Sequence, residues 1–170
     1  IQAQILIYTQ IKDELFELIK EIKPSQLALN TSLNTKQINY LFSLDNDLIY
    51  TALAQNIATP LNILKKLSLF KNIEIDFALA SNSKYPFLNT LLHKNNKIDK
   101  ILALNINTPK ATLEKLSKSD DINILINLAK NEATPIDILM QFQLDKRLER
   151  FVQENKTFGA KIHKDIGWLQ

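Results

Sequence analysis

One phrase recurs along most of this sequence, and it limits the folds that the chain can adopt. Its clear copies begin at Leu53, Leu79, Leu102 and Leu128, and each reads Leu-Ala-x-Asn with a proline four residues after the Asn. A blurred copy from Leu27 to Lys36 carries two extra residues and Lys in place of Pro. The four prolines are 26, 23 and 26 residues apart. This period indicates stacked helical repeats, because each unit must bury its apolar face against its neighbours.

Each repeat is predicted to contain two short helices. The Thr-Pro step predicts the start of the first helix, with Thr as the N-cap and Pro at the first helical position. Apolar residues follow four and seven positions after three of the prolines, as Leu64 and Leu67, Leu113 and Leu116, and Leu139 and Phe142. The copy after Pro86 has Leu88, Leu91 and Leu92 instead and is predicted to be irregular.

A polar connector leads to the second helix, which is predicted to end near the Leu-Ala step. The Asn that follows suits a helix exit, since Asn tolerates left-handed backbone angles and forms Asx turns. The repeated Asn and Thr residues could also form ladders that bind a peptide backbone. Turn and cap chemistry explains the same residues and is the favoured interpretation.

Both ends of the chain are predicted to cap the repeats. Residues 1–26 are expected to form an N-terminal amphipathic capping helix, which Pro24 ends. The apolar stripe of this helix consists of Ile5, Tyr8, Ile11, Leu15, Leu18, Ile19 and Ile22. Residues 27–158 hold the repeats, and residues 159–170 form a C-terminal cap or tail. Gly159 is expected to break the repeat pattern there, and the tail contributes Ile162, Ile166, Trp168 and Leu169. The three parts together are predicted to form one continuous domain.

With Leu-Ala-x-Asn-x-x-Thr-Pro recurring about every 24 residues between Leu27 and Phe158, the chain resembles the leucine-rich repeat variant family. The resemblance implies an all-α fold, a right-handed α-solenoid or superhelix of about five stacked two-helix repeats. Its helices would alternate between α and 3₁₀, in an architecture similar to HEAT and armadillo proteins. It also implies a binding or scaffolding role. Some members hold an iron–sulfur cluster through cysteines, but this chain has no cysteine. The family's Val-Arg step lacks its arginine at the matching pairs Ile49-Tyr50, Ile75-Asp76, Ile98-Asp99, Ile124-Leu125 and Leu148-Glu149.

Composition and spacing speak against an enzyme or a metal protein. Two glycines cannot form a glycine-rich phosphate loop, and the absence of cysteine excludes thiolate chemistry. His93 and His163 lie far apart in the sequence and are predicted to be ordinary surface histidines. The run Asp45-Asn46-Asp47 lacks the Gly and Glu of a calcium loop, so this run and Asp120-Asp121 are predicted to cap helices. We therefore expect no catalytic residue, no metal and no cofactor.

The predicted function is a scaffold that binds a peptide or protein on the solenoid surface. The alternative is nucleic-acid binding through a lysine-rich edge. That edge consists of Lys65, Lys66, Lys71, Lys94, Lys97, Lys115, Lys118, Lys146 and Arg147. Acids in the same zones favour a mixed, solvated edge: Glu74, Asp76, Asp99, Glu114, Asp120, Asp121 and Asp145. A third alternative, DNA-base repair on a helical-repeat scaffold, would require a basic concave face with a buried carboxylate and aromatic residues.

Hydropathy predicts a cytoplasmic protein without a membrane span. No apolar run approaches the ~20 residues that a transmembrane helix requires. The stretch from Ile1 to Tyr8 lacks the basic leader and small-residue cleavage site of a signal peptide.

Overall fold

A computed structural model of the protein describes residues 9–167, with side chains described for residues 9–164. These residues form helices joined by turns, and no strand occurs among them, which confirms the all-α fold class. No helix in this range is long and apolar enough to cross a lipid bilayer. The chain divides into two compact units, Ile1–Tyr85 and Pro86–Gln170. The single continuous domain stays a prediction.

In the first unit, the second helices of successive repeats pack side by side. The described helices are α1 (Asp13–Ile19), α2 (Pro24–Leu27), α3 (Thr35–Phe42), α4 (Asp47–Gln55), α5 (Leu61–Leu67) and α6 (Ile73–Ser81). Helix α4 packs between α2 and α6, while α3 and α5 also contact α4. Each repeat thereby covers the apolar side of the one before it.

The second unit repeats this arrangement. It begins with a 3₁₀ helix (Leu88–Leu91), followed by α7 (Asn96–Leu104), α8 (Lys110–Leu116), α9 (Ile122–Lys130), α10 (Ile136–Phe142), α11 (Glu149–Gln153) and α12 (Lys156–Gly167). Helix α9 packs between α7 and α11, the 3₁₀ helix packs on α7, and α8 contacts both α7 and α9. Helix α10 packs against α11 and α12.

The apolar spacing after the prolines is confirmed. Leu64, Leu67, Leu113, Leu116, Leu139 and Phe142 are all buried. The irregular copy after Pro86 is confirmed as well, since it folds as the 3₁₀ helix. The alternation of α and 3₁₀ helices implied by the resemblance is wrong for the other repeats. Their first helices (α3, α5, α8 and α10) and their second helices (α4, α6, α9 and α11) are all α-helical.

The predicted role of the Thr-Pro threonine is wrong. Pro60 itself occupies the N-cap position, with an extended backbone (φ −60°, ψ 145°), and the helix begins at Leu61. The Thr59 hydroxyl instead donates to the Leu53 carbonyl oxygen at 2.7 Å, at the end of the preceding helix. Thr108 and Thr134 make the same bond to the carbonyls of Leu102 and Leu128. Threonine therefore adds a side-chain donor to a carbonyl at the end of the preceding helix, which also accepts the N–H of the asparagine three residues on at 3.1–3.3 Å.

The predicted N-terminal helix is confirmed only from Asp13 to Ile19, where Leu15 and Ile19 of its stripe are half-buried. Residues 9–12 are not helical, α1 begins at Asp13, and Pro24 begins α2 instead of ending a pattern. Leu18 and Ile22 of the predicted stripe are 73% and 70% exposed, whereas Phe16, outside that stripe, is 3% exposed. Ile11 is buried as predicted. Ile5 and Tyr8 lie outside the described residues. The capping role itself stays a prediction.

Gly159 does not break the pattern as predicted. It lies inside α12, and its amide N–H donates to the Asn155 carbonyl at 2.9 Å. Ile162 lies within α12 and is half-buried. The side chain of Ile166 and the whole of Trp168 and Leu169 fall outside the described part of the chain, so the C-terminal cap stays a prediction.

Replacing Gly159 by Ala is expected to stabilise the protein. A Cβ atom built at this position meets no atom within 4 Å, and the backbone is helical. Alanine loses less backbone entropy on helix formation, so the free energy of unfolding should rise by roughly 0.5–1 kcal/mol. Urea denaturation followed by circular dichroism measures this change. A lower urea midpoint for Gly159→Ala would contradict the open space seen at this site.

Candidate partner-binding surfaces

The repeated asparagines form an internal ladder within each unit. In the first unit, the Asn56 side-chain amide donates to the carbonyls of Ala28 and Asn30 at 2.8 and 2.9 Å. Asn82 does the same with the carbonyls of Ala54 and Asn56. In the second unit, Asn131 reaches Ala103 and Asn105, and Asn155 reaches Ala129 and Asn131. Each rung joins one repeat to the main chain of the repeat before it.

The side-chain oxygen of each ladder asparagine closes an Asx turn, as predicted. The Asn56 oxygen accepts the Ala58 amide N–H at 2.8 Å, and Asn82, Asn131 and Asn155 do the same two residues on. The backbone is extended and not left-handed, with φ between −79° and −74° at Asn56, Asn82, Asn105 and Asn131. Asn56, Asn82, Asn131 and Asn155 are buried with their amide groups committed to main-chain partners, so they do not offer a peptide-binding ladder.

The lysines of the predicted edge are exposed in both units. Lys65 and Lys66 lie in the last turn of α5, and Lys71 lies in the following connector. In the second unit, the exposed members are Lys94, Lys97, Lys115, Lys118, Lys146 and Arg147. Within the described residues, seven members make no ion pair: Lys65, Lys66, Lys71, Lys97, Lys115, Lys118 and Lys146.

Several acids expected to neutralise this edge are engaged elsewhere. Asp76 and Asp99 are buried in α6 and α7. Asp121 caps α9 through the Asn123 amide and pairs with the Lys100 ammonium at 2.9 Å. The Lys100 contact holds the pKa of the Asp121 carboxyl well below its ordinary value. Asp145, by contrast, pairs with Arg147 of the edge itself at 2.7 Å. Asp121 therefore neutralises a lysine outside the edge, whereas Asp145 neutralises a member of it.

The Asp145–Arg147 pair predicts a pH dependence. Hydrogen bonds from the Arg147 side chain lower the pKa of Asp145 to about 2, against about 3.9 in an unfolded chain. A depressed folded-state pKa contributes stability above the unfolded value, and this contribution disappears as the pH falls from about 4 to about 2. Wild-type protein should therefore lose more stability over that window than Asp145→Asn. Urea midpoints at several pH values measure this, with Asp120→Asn at an exposed position as control. Parallel curves for wild type and Asp145→Asn would contradict the assignment.

His93 has a carboxylate partner that its sequence position does not suggest. The Asp99 carboxylate accepts the His93 amide N–H at 2.9 Å, and its other oxygen lies 3.1 Å from the His93 Nδ1 atom. His93 adopts a left-handed backbone with φ of 62°. Asp45, with φ of 48°, is bound to α4 in a similar way by the Tyr50 hydroxyl at 2.9 Å. These pairs hold tight connector turns, and the imidazole stays exposed at the surface. His163, also exposed, lies on α12.

The acidic connectors contain the residues that cap the following helices, which confirms the predicted capping role at Asn46 and Asp121. The Asn46 side chain accepts the amides of Leu48 and Ile49, and Asp47 lies in the first turn of α4. Among the described residues, no group of three or more His, Asp or Glu side chains is arranged to hold a metal ion.

An apolar groove in the first unit is absent from the sequence-based predictions. It is lined by Phe42, Lys66, Leu69 and Phe70 and encloses a volume of about 330 Å³. Beneath it, the Tyr50 ring lies 5.0 Å from that of Phe42 and 4.8 Å from that of Phe70, between ring centroids. The Lys66 ammonium lies 5.7 Å from the Phe42 ring centroid. Leu69 is 78% exposed at the mouth. The signal that could have revealed this groove is Phe70, which stands where other connectors carry Asp45, Ser119 and Asp145.

No family model matches this chain, and no curated protein or solved structure is significantly similar to it. The resemblance to the leucine-rich repeat variant family therefore rests on the repeated motif alone. Function must be inferred from the surfaces described above.

Proposed function

We propose that this protein is a non-enzymatic interaction scaffold that binds a peptide or another protein and uses no cofactor. The observation that carries this proposal is the groove of Phe42, Lys66, Leu69 and Phe70, which combines exposed apolar area with a ring cluster. Contiguous exposed apolar surface with a polar rim is typical of sites that bind other proteins. Aromatic side chains at such sites supply large contact area at low cost in conformational entropy.

The proposed architecture is a right-handed α-solenoid of the leucine-rich repeat variant family. Support comes from the asparagine ladder, which recurs inside each unit with the same two main-chain acceptors. A rung of this kind holds adjacent repeats in one register, which suits a stacked array. Such arrays present extended surfaces with large area and little chemistry, consistent with a scaffold.

Nucleic-acid binding through the lysine-rich edge is the second candidate. It is favoured by one observation, namely that Lys97, Lys115 and Lys118 are exposed and make no ion pair among the described residues. Unpaired lysines can follow a phosphate backbone, and their binding energy comes from released counterions. The scarcity of arginine, with Arg147 and Arg150 as the only two, weakens this candidate.

Two measurements distinguish the candidates. Gel shifts with duplex and single-stranded DNA should show no binding, or only weak binding that disappears as salt is raised from low to physiological concentration. Immobilised protein incubated with nuclease-treated extract of the native cell should retain specific proteins, with heat-unfolded protein as control. Tight DNA binding at physiological salt, together with no protein retained above the control, would overturn the scaffold in favour of the second candidate.

A further inference from the structure

We propose that the groove of Phe42, Lys66, Leu69 and Phe70, here called the connector groove, binds a short acidic segment of a partner protein through one large apolar side chain of that segment. This inference rests on the proposed scaffold function and identifies the class of its partner. The apolar side chain would contact Leu69 and Phe70, and the acidic residues on either side of it would meet lysines.

The floor of the connector groove is rigid enough to serve as a receptor. Tyr50 is buried in α4, and its ring contacts both Phe42 and Phe70 at centroid distances typical of packed aromatic pairs. Its hydroxyl is fixed by the hydrogen bond to Asp45. Because Tyr50 packs against the Phe42 and Phe70 rings, it holds these two lining residues in place, and a preformed lining lowers the entropy cost of binding.

The volume of the groove limits the size of what it can hold. About 330 Å³ lies at the lower end of the roughly 300–1,000 Å³ typical of ligand pockets. The lining is apolar apart from Lys66. A single aromatic or aliphatic side chain matches this combination better than a folded surface does.

Charge at the groove selects an acidic partner. Lys66 is part of the lining, and Lys65 and Lys71 are its exposed neighbours along the chain. None of these three lysines makes an ion pair within the described residues. Asp45 and Asp47 lie near Tyr50, where burial, the hydrogen bond to Asp45 and the charges of both acids raise the pKa of the Tyr50 hydroxyl, and the lining of the groove contains no acid. Glu74 borders a different groove, which is formed with Thr51 and Gln55.

The geometry favours a protein segment over the other occupants. A second copy of the chain docked through the same face would bring the lysines of both copies together, which is unfavourable in a symmetric interface. A nucleic-acid base requires an open aromatic face. Here Tyr50 packs between the two phenylalanines, Lys66 lies over the Phe42 ring, and the most exposed lining residue is the aliphatic Leu69.

Binding can be measured by fluorescence anisotropy with a short fluorescein-labelled peptide of Asp and Glu residues around one central Phe. We expect the full-length protein to bind this peptide and to bind the same peptide with central Ala about tenfold more weakly, because one anchor dominates such contacts. Raising the salt concentration should weaken binding further, since the lysines are exposed to solvent.

Matched variants locate the site. Leu69→Ser and Lys66→Glu should each weaken binding about tenfold or more. The controls are two variants in the second unit. Leu144→Ser changes the residue that follows α10 as Leu69 follows α5, and Lys115→Glu changes the residue of α8 that corresponds to Lys66 of α5. Leu144 is 86% exposed, and Lys115 lies in the last turn of α8. Both controls should bind the peptide like wild type, and circular dichroism should show all four variants folded.

Four outcomes would overturn the proposal: no binding of the Phe peptide at low salt, equal binding by Leu69→Ser and wild type, tighter binding of a single-stranded oligonucleotide at the same groove, or a wild-type dimer that Leu69→Ser dissociates in analytical ultracentrifugation. The first two outcomes leave the scaffold function intact if the immobilised protein still retains specific proteins from nuclease-treated extract. The proposed scaffold function fails separately, if the immobilised wild-type protein retains no protein above its control.

Discussion

Asn56→Ala will lower the free energy of unfolding by about 2–4 kcal/mol, because it removes the side-chain donor of two buried carbonyl groups and an Asx turn. The Asn56 amide is the donor to both Ala28 and Asn30, and the side chain is 2% exposed. Urea denaturation followed by the helical circular dichroism signal at 222 nm measures this decrease in the free energy of unfolding.

Two further variants separate the ladder from the turn. Asn56→Asp keeps an oxygen for the Ala58 amide but cannot donate to the two carbonyls, so it should be at least as destabilising as Asn56→Ala. Asn62→Ala changes an exposed asparagine of α5 and should stay within roughly 0.5 kcal/mol of wild type. If Asn56→Ala matched Asn62→Ala, the ladder would have no energetic role.

The second large effect is expected at Phe16. Its ring is 3% exposed and meets Tyr40 of α3 edge-to-face at a centroid distance of 5.7 Å. Phe16→Ala should lower the free energy of unfolding by roughly 3 kcal/mol, the lower part of the range for buried aromatic residues. Thermal unfolding and urea denaturation both report this loss.

Leu18→Ala is the matched control for Phe16. Leu18 lies two residues further along α1 and is 73% exposed, so its truncation should change stability by less than about 0.5 kcal/mol. Sequence periodicity predicts that Leu18→Ala is the more destabilising of the two substitutions, since it places Leu18 in the apolar stripe and leaves Phe16 outside. Comparable losses for the two variants would contradict the described orientation of α1.

The repeats were predictable because their periodicity directly reports burial. Residues such as Leu64 and Leu67 lie four and seven positions after a proline, and both side chains are buried. The N-terminal stripe was only partly right, because Leu15 and Ile19 of α1 are half-buried whereas Leu18 is exposed. The described helix α1 is only seven residues long, so a spacing counted from Gln4 to Ile22 does not define its buried face.

Two features of the candidate sites could not be predicted from spacing. The connector groove brings together Phe42 of α3, Tyr50 of α4 and Phe70 of the connector after α5, which meet only when these parts pack together. The His93–Asp99 contact depends on a left-handed turn at His93, a backbone conformation that is uncommon for residues other than Gly even though His is enriched in it. Tertiary packing creates the first feature and a local backbone turn the second, and the spacing of the residues reports neither.

The ladder also bears on how such a chain could change its length. Every acceptor of an asparagine rung is a main-chain carbonyl, as at Ala54 and Ala103, so the rung does not depend on which side chains its neighbour carries. A repeat that ends in Leu-Ala-x-Asn can therefore form the same two hydrogen bonds with any other such repeat. Duplication or loss of a whole repeat would preserve these contacts, while a partial insertion within Leu-Ala-x-Asn would break them.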